Sequence, residues 1–184
     1  MAAFTNNIKI NNVTLSSTEP RYSNESWTGA MITRSTGIQY YNIQFGLSFN
    51  QKDVAEYHAF VSQYSQGKPF AMALGHLSTY KGSQVGAVSA TSPAAKGTYQ
   101  VSTTANTLEI GTLIQFSNHR KIYRIIGRTG NTIQIFPNLR ANVQTNEIMR
   151  YTSIEGEFVL LPDNEYQLPI SNVMSVQLTA RENL

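Results

Sequence analysis

Tyr41-Asn42-Ile43-Gln44-Phe45-Gly46-Leu47-Ser48-Phe49 alternates apolar and polar residues without a break. A period of two belongs to a β-strand, because successive side chains there point to opposite faces. Tyr41, Ile43, Phe45, Leu47 and Phe49 share the apolar face. Asn42, Gln44 and Ser48 share the polar one. One dry and one wet face is the pattern of an antiparallel sheet covering a core on one side.

Working outward from this strand, Trp27 to Thr33 reads as an earlier strand. Arg34-Ser35-Thr36-Gly37 lies between the two as a turn, so Trp27 to Phe49 is predicted to form a long hairpin. Asn7 to Leu15 carries a weaker strand signal. On the C-terminal side, Asn50 can accept from first-turn N–H groups, and Asp53 follows at the capping-box spacing. Val54, Tyr57, Val61 and Tyr64 then recur every three or four residues as one apolar stripe. Gly67 sits where a left-handed C-cap is wanted, and Pro69 stops continuation. These signals predict a helix over about residues 51–66. Phe70 to Leu74 resumes as a strand. Phe158 to Leu161 returns to the same type. Met174, Val176, Leu178 and Ala180 alternate along the last one.

The character changes after Gly75. Lys81 to Thr107 is mostly Ser, Thr, Ala and Gly, which predicts short polar strands and loops. Stronger strands follow at Leu113–Phe116, Ile122–Ile126, Thr132–Phe136 and Glu147–Tyr151. Gly127 to Asn131 is expected to turn between two of them, bringing Tyr123 and Ile125 near Ile133 and Ile135. Short strands with frequent turns suggest a small barrel. The predicted organisation is therefore mainly β. An antiparallel β-sandwich with one α-helix spans residues 1–76 and 154–184, and a small β-barrel at 77–153 is inserted in it.

The chain has 184 residues, enough for one domain carrying a smaller one. It contains no cysteine, so disulfides and thiolate metal sites are excluded. Met1 to Lys9 lacks a basic segment followed by an apolar run, so no secretory signal is expected. No stretch of about 18 apolar residues occurs, so no membrane-spanning helix is expected. Only 14% of residues are charged, for a net charge of +3. Asn, Gln, Ser and Thr fill the surface instead, which suits outer faces that become contacts in an assembly.

Catalytic chemistry is poorly supplied. The three histidines, His58, His76 and His119, lie far apart, and none has metal-ligand spacing with a carboxylate. His58 reads as a packing or surface residue beside the helical stripe, and His119 as a loop histidine. Glu155 and Glu157 share a strand face and could look like a paired acid and base; a solvated edge explains them better. No nucleophile elbow, phosphate loop or dinucleotide turn is present. The expectation is a protein that is not an enzyme and takes no metal or cofactor.

The inserted region has its own charge bias. No acidic residue falls between Glu109 and Glu147, whereas Arg120, Lys121, Arg124, Arg128 and Arg140 all do. Basic residues interleaved with Phe116, Tyr123 and Phe136 on a small barrel could hold a single strand of nucleic acid. The same aromatics also sit at good core positions.

Two stretches resemble a known family. Gly111-Thr112-Leu113-Ile114-Gln115-Phe116-Ser117-Asn118-His119-Arg120-Lys121-Ile122-Tyr123-Arg124-Ile125 follows a tail-protein pattern: glycine, a short apolar strand, a Ser/Asn-His loop, then Lys-x-Tyr leading the next strand. Ile135-Phe136-Pro137-Asn138-Leu139 continues it. The ending Val176 to Leu184, with Arg181-Glu182-Asn183-Leu184, is similar to the final strand of the same proteins. With the order of elements, these resemble distal tail proteins of long-tailed (siphovirus-type) bacteriophages. Other tail and baseplate components share the loop-and-strand pattern.

The resemblance implies a tail-tube-like β-sandwich with an inserted barrel of the oligosaccharide/oligonucleotide-binding (OB) type. It also implies a virion protein, made in the cytoplasm of a bacterial host, that forms a ring, a hexamer in such proteins. That ring would join the tail tube protein to the baseplate hub and to tail fibre or collar proteins, and pass DNA through its channel. The Trp27–Phe49 hairpin is then the first candidate for the contact between subunits, and Asn42, Gln44 and Ser48 on its polar face are candidates for ring interface or channel lining. Arg120, Lys121, Tyr123, Arg124 and Arg128 are candidates for a ligand or partner patch on the barrel, with a host saccharide among the expected partners. The alternative function is an OB-type module that binds nucleic acid or oligosaccharide.

Overall fold

The computed structural model describes residues 4, 5, 7–169 and 171–184. The opening residues, over which no secretory signal is read, therefore lie partly outside the described residues. The strands in chain order are β1 (Lys9–Thr18), β2 (Arg21–Glu25), β3 (Met31–Ser35), β4 (Tyr40–Asn50), β5 (Phe70–Ala73), β6 (Val88–Ser89), β7 (Gln100–Ser102), β8 (Leu113–Phe116), β9 (Tyr123–Thr129), β10 (Thr132–Phe136), β11 (Ile148–Arg150), β12 (Glu155–Leu160) and β13 (Val173–Glu182). The helix α1 (Val54–Tyr64) follows a 3-10 turn at Gln51–Asp53. The protein is thus mainly β, with antiparallel sheets and one α-helix among the described residues, as the periodicities predict.

The chain folds as two compact units. The first comprises Met1–Ser16, Tyr41–Leu77 and Glu155–Leu184; the second comprises Ser17–Tyr40 and Ser78–Ile154.

In the first unit, five strands pair in the order β1-β4-β13-β12-β5. The apolar face of β4 is buried throughout: Ile43, Phe45 and Leu47 are at most 1% exposed. Met174, Val176, Leu178 and Ala180 of β13 continue that face. Helix α1 packs on it through Tyr57 and Phe60. The Tyr57 ring stacks on Phe49 at 5.3 Å, and Phe60 meets Phe70 edge-on at 5.3 Å. Phe60 is the buried anchor that the three-and-four spacing passed over, while Val54, Val61 and Tyr64 are only half-buried. The Asn50 side chain makes no capping bond, contrary to the expected capping box. The residue is extended at the end of β4, and the 3-10 turn separates it from α1.

One close approach explains a glycine. Gly46 lies on the polar parity of β4 yet is buried, because the Asn11 side chain lies across it, within contact of where a Cβ would stand. The Asn11 Oδ1 is buried there without a hydrogen-bond partner.

In the second unit, six strands pair in the order β6-β11-β8-β9-β10-β7. The outer strands are then joined by a bridge between Ala90 and Thr103, flanked by Thr91 N–H to Ser102 O (2.9 Å) and Thr104 N–H to Ser89 O (2.8 Å). The sheet thereby closes on itself, which removes its edges. Its interior holds Tyr123, Ile125, Ile133 and Ile135 together, as their alternation predicts. The turn between β9 and β10 is tighter than expected, with Thr129 opposite Thr132 and Gly130 at φ +57°.

The predicted Trp27–Phe49 hairpin does not form. β3 pairs with β2 instead, with Arg21 opposite Ser35 and Glu25 opposite Met31. β4 pairs along β13 over Asn42–Asn50. The pairing partner was hidden because Arg21–Glu25 contains a single apolar residue and reads as loop.

Candidate interaction surfaces

The first surface is the polar face of the five-stranded sheet. Asn42 and Ser48 are half-buried and Gln44 is exposed. In register they stand opposite Arg181, Ser175 and Thr179 of β13 respectively. β13 is only partly paired on its other side. β12 covers Ala180–Glu182, after which Asn164 takes the place of a strand residue. Its Oδ1 accepts the Thr179 N–H (2.8 Å), and its Nδ2 donates to Thr179 O (2.8 Å). Glu155 and Glu157 share a face of β12; the Glu157 carboxylate accepts from the Asn183 amide, so it is engaged at the chain end.

The second is the basic stretch on the barrel, and here the burial corrects the expected patch. Tyr123 is fully buried and Lys121 is 4% exposed. Neither can present a face to a ligand. The Lys121 Nζ donates to the Gln39 Oε1 at 2.7 Å, and Gln39 is itself buried. Arg124 pairs with Glu19 at 3.0 Å and lies over the Phe136 ring at 5.9 Å. Arg128 donates to the carbonyls of Asn106 (3.1 Å) and Leu108 (3.3 Å), holding the turn before β8. Arg120 and Arg140 are exposed. Phe116 is also fully buried, which removes it as a stacking platform. Desolvating a cation is costly unless its donors find acceptors, so buried Lys121 serves the fold first.

The Ser/Asn-His and Lys-x-Tyr motif acquires a structural meaning from the same contacts. His119 is buried, not a loop histidine in solvent. Its Nδ1 lies 2.9 Å from the Tyr123 hydroxyl, which accepts the Arg140 N–H at 3.0 Å. Tyr123 can then give its proton to Nδ1, and Nε2–H donates to Asn142 O at 3.3 Å. Glu147 stands 3.9 Å from Nε2, and its two oxygens accept the N–H groups of Asn118 (3.0 Å) and Gln144 (2.9 Å). The motif residues thus tie the β8–β9 loop to the 139–147 segment.

The third surface takes in the start of the expected Trp27–Phe49 hairpin, with a different strand pairing. β2 and β3 form a two-stranded ribbon in which all ten strand residues are exposed. Trp27 at its tip is 98% exposed, Tyr22 73%, Met31 71% and Ile32 65%. The tip is well made: Ser26 N–H donates to Ala30 O and Gly29 N–H to Ser26 O, both at 2.8 Å. The base is clamped by Thr36 Oγ1 to Pro20 O (2.6 Å), by Glu19–Arg124 and by Gln39–Lys121. Two of the supposed ligand-binding cations are therefore anchors of the ribbon.

Two clefts bear on these surfaces. One of about 450 Å³ is lined by Ile10–Val13 of β1 and by Met72–Leu77, and is mostly apolar. Both edge strands of the first unit's sheet border it. The other, about 660 Å³, lies on the barrel among Ser92, Tyr99, Gln100, Ser102 and Thr132. Among the described residues, no cluster of three or more metal-ligating side chains occurs.

The chain matches no protein-family model and no curated protein.

Proposed function

We propose that this protein is a structural subunit of a phage-type tail tip, assembling with copies of itself into a ring that joins the tail tube to the baseplate hub and fibres. The observation that supports this best is the polar face of β4 and β13. Asn42, Gln44 and Ser48 run along it with Ser175, Gln177 and Thr179, and Arg181 is the one cation on these two strands. A channel that passes DNA must avoid tight phosphate binding, which rows of Lys and Arg would produce. A largely neutral, hydrogen-bonding wall meets that requirement. Exposed edges and apolar side chains outside the core provide the means for self-association.

Negative-stain micrographs of the purified full chain test the proposal. Rings with a stain-filled centre are the expected result, and a field of featureless small particles would sink it. Replacing Gln44 and Ser48 by Lys should then give rings that retain single- or double-stranded DNA at low salt and release it at high salt.

The cleft on the barrel supports a second reading, saccharide binding. Tyr99 is half-exposed beside the side chains of Ser92, Gln100, Ser102 and Thr132, and no charged residue lines the site. An aromatic face with neutral hydrogen-bonding groups fits a sugar better than a phosphate backbone. Glycan-array signal abolished by Tyr99→Ala would favour it.

A further inference from the structure

We infer that the β2–β3 ribbon is the arm by which one copy grips the next, docking into the apolar cleft between β1 and β5 of its neighbour. The inference rests on the ring reading and names its contact.

An isolated two-stranded ribbon in water is marginal at best, since it has no second layer to bury its side chains. This one nevertheless exposes large apolar residues on a face and at its tip. Directly opposed residues share a face, so Tyr22 lies with Arg34, and Ile32 with Asn24, on the same side, and Met31 lies with Glu25 on the other. Trp27 stands exposed in the turn. Trp, Tyr and Arg are the residue types that dominate binding at well-packed interfaces. The base of the ribbon is fixed by a buried Lys121–Gln39 bond and the Arg124–Glu19 pair, so the arm is presented and not left to wander. Holding an arm in its bound geometry lowers the ordering cost of association.

The occupant follows from what the same chain offers. The cleft of about 450 Å³ is bordered by β1 and β5, the first and last strands of the five-stranded sheet. Ile10 and Leu77 at its rim are 41% and 43% exposed. Unpaired strand edges beside an apolar groove accept an added strand, with main-chain bonds for affinity and a pocket for side chains. Arm and cleft are different surfaces of one chain, so the contact is head-to-tail, the type that closes into rings. Covering Tyr22, Trp27 and Ile32 removes roughly 400–600 Å² from water, taking about 150–250 Å² for each large aromatic. That is more than half of the roughly 800 Å² per partner of a stable interface.

The absence of cysteine makes the test clean. One full-length variant carries Thr28→Cys beside the tip, and another carries His76→Cys in the cleft. Mixed and treated with a short bismaleimide, they should give a cross-linked pair that neither yields alone. In parallel, Trp27→Ala should raise the concentration needed for half-assembly by about 30-fold or more, with unchanged circular dichroism and melting temperature. If the variants assemble but do not cross-link in the mixture, or if Trp27→Ala assembles like the parent, the arm-in-cleft contact is wrong and the ring reading stands. If parent and variants remain single chains throughout, both are wrong.

Discussion

The two larger sheets of this protein treat their edges in opposite ways. The six-stranded sheet joins β6 to β7 through the Ala90–Thr103 bridge and has no edge left to offer. The five-stranded sheet ends at β1 and β5 and opens a cleft beside them. A closed barrel satisfies its own backbone and is complete as a single chain. An open sheet leaves donors and acceptors that a second chain can satisfy. The difference teaches where to look for function: in the sheet that is unfinished and in the ribbon that is uncovered.

The largest effect should come from breaking the finished barrel. His119→Ala removes the acceptor of the Tyr123 hydroxyl proton and the donor to the Asn142 carbonyl, and should cost about 2–4 kcal/mol. Hydrogen exchange would show it as lost protection in β8 and β9. Gly46→Ala attacks the open sheet instead. A Cβ there collides with Asn11, and overpacking of this kind costs about 1–3 kcal/mol. Asn11→Ala in the same chain should restore most of the loss in a denaturant titration.

Lys121→Met separates the ribbon from the barrel that holds it. It keeps the buried stem but leaves the Gln39 Oε1 without its donor, for about 1–3 kcal/mol. Exchange should quicken in β2 and β3 more than in β10. Tyr57→Phe is expected to be neutral or to stabilise by up to about 1 kcal/mol, because the hydroxyl is buried with no partner among the described residues. Burial, with a further contribution from Tyr166, also raises the Tyr57 phenol above its usual range. The smallest effect concerns Glu109, held below the usual carboxylate range by the Tyr80 hydroxyl and by the N–H of Ser83. A lowered carboxyl contributes stability above its unfolded value and loses it as pH falls through the folded one. Acidification should therefore loosen the 80–84 segment locally, and Glu109→Gln should remove that pH dependence in an exchange profile.

Local alternation made much of the fold legible. The β4 pattern, the β8 and β10 ranges and the β9–β10 core could all be read directly, because burial repeats at the period of the backbone. Pairing could not. Met31 and Ile32 mark a strand, but nothing local says that the polar run Arg21–Glu25 is its partner. The surfaces were harder still. The partners of Lys121 and Arg124 lie 82 and 105 residues away in sequence, so a run of cations looked like a binding patch when it is largely a clamp. Asn42, Gln44 and Ser48 could be placed on the polar face because a wet strand face shows in the alternation. The hairpin from Trp27 was expected as a contact, but its partner and its exposure were not legible, because exposure of Trp27 is a property of what fails to cover it.

The central claim is that one chain is incomplete and copies of it complete one another. Sedimentation velocity of the full-length protein over a hundredfold range of concentration tests it most directly. A single boundary at a fixed multiple of the chain mass, dissociating on dilution, is the predicted result. A boundary at the mass of one chain across the whole range would contradict it.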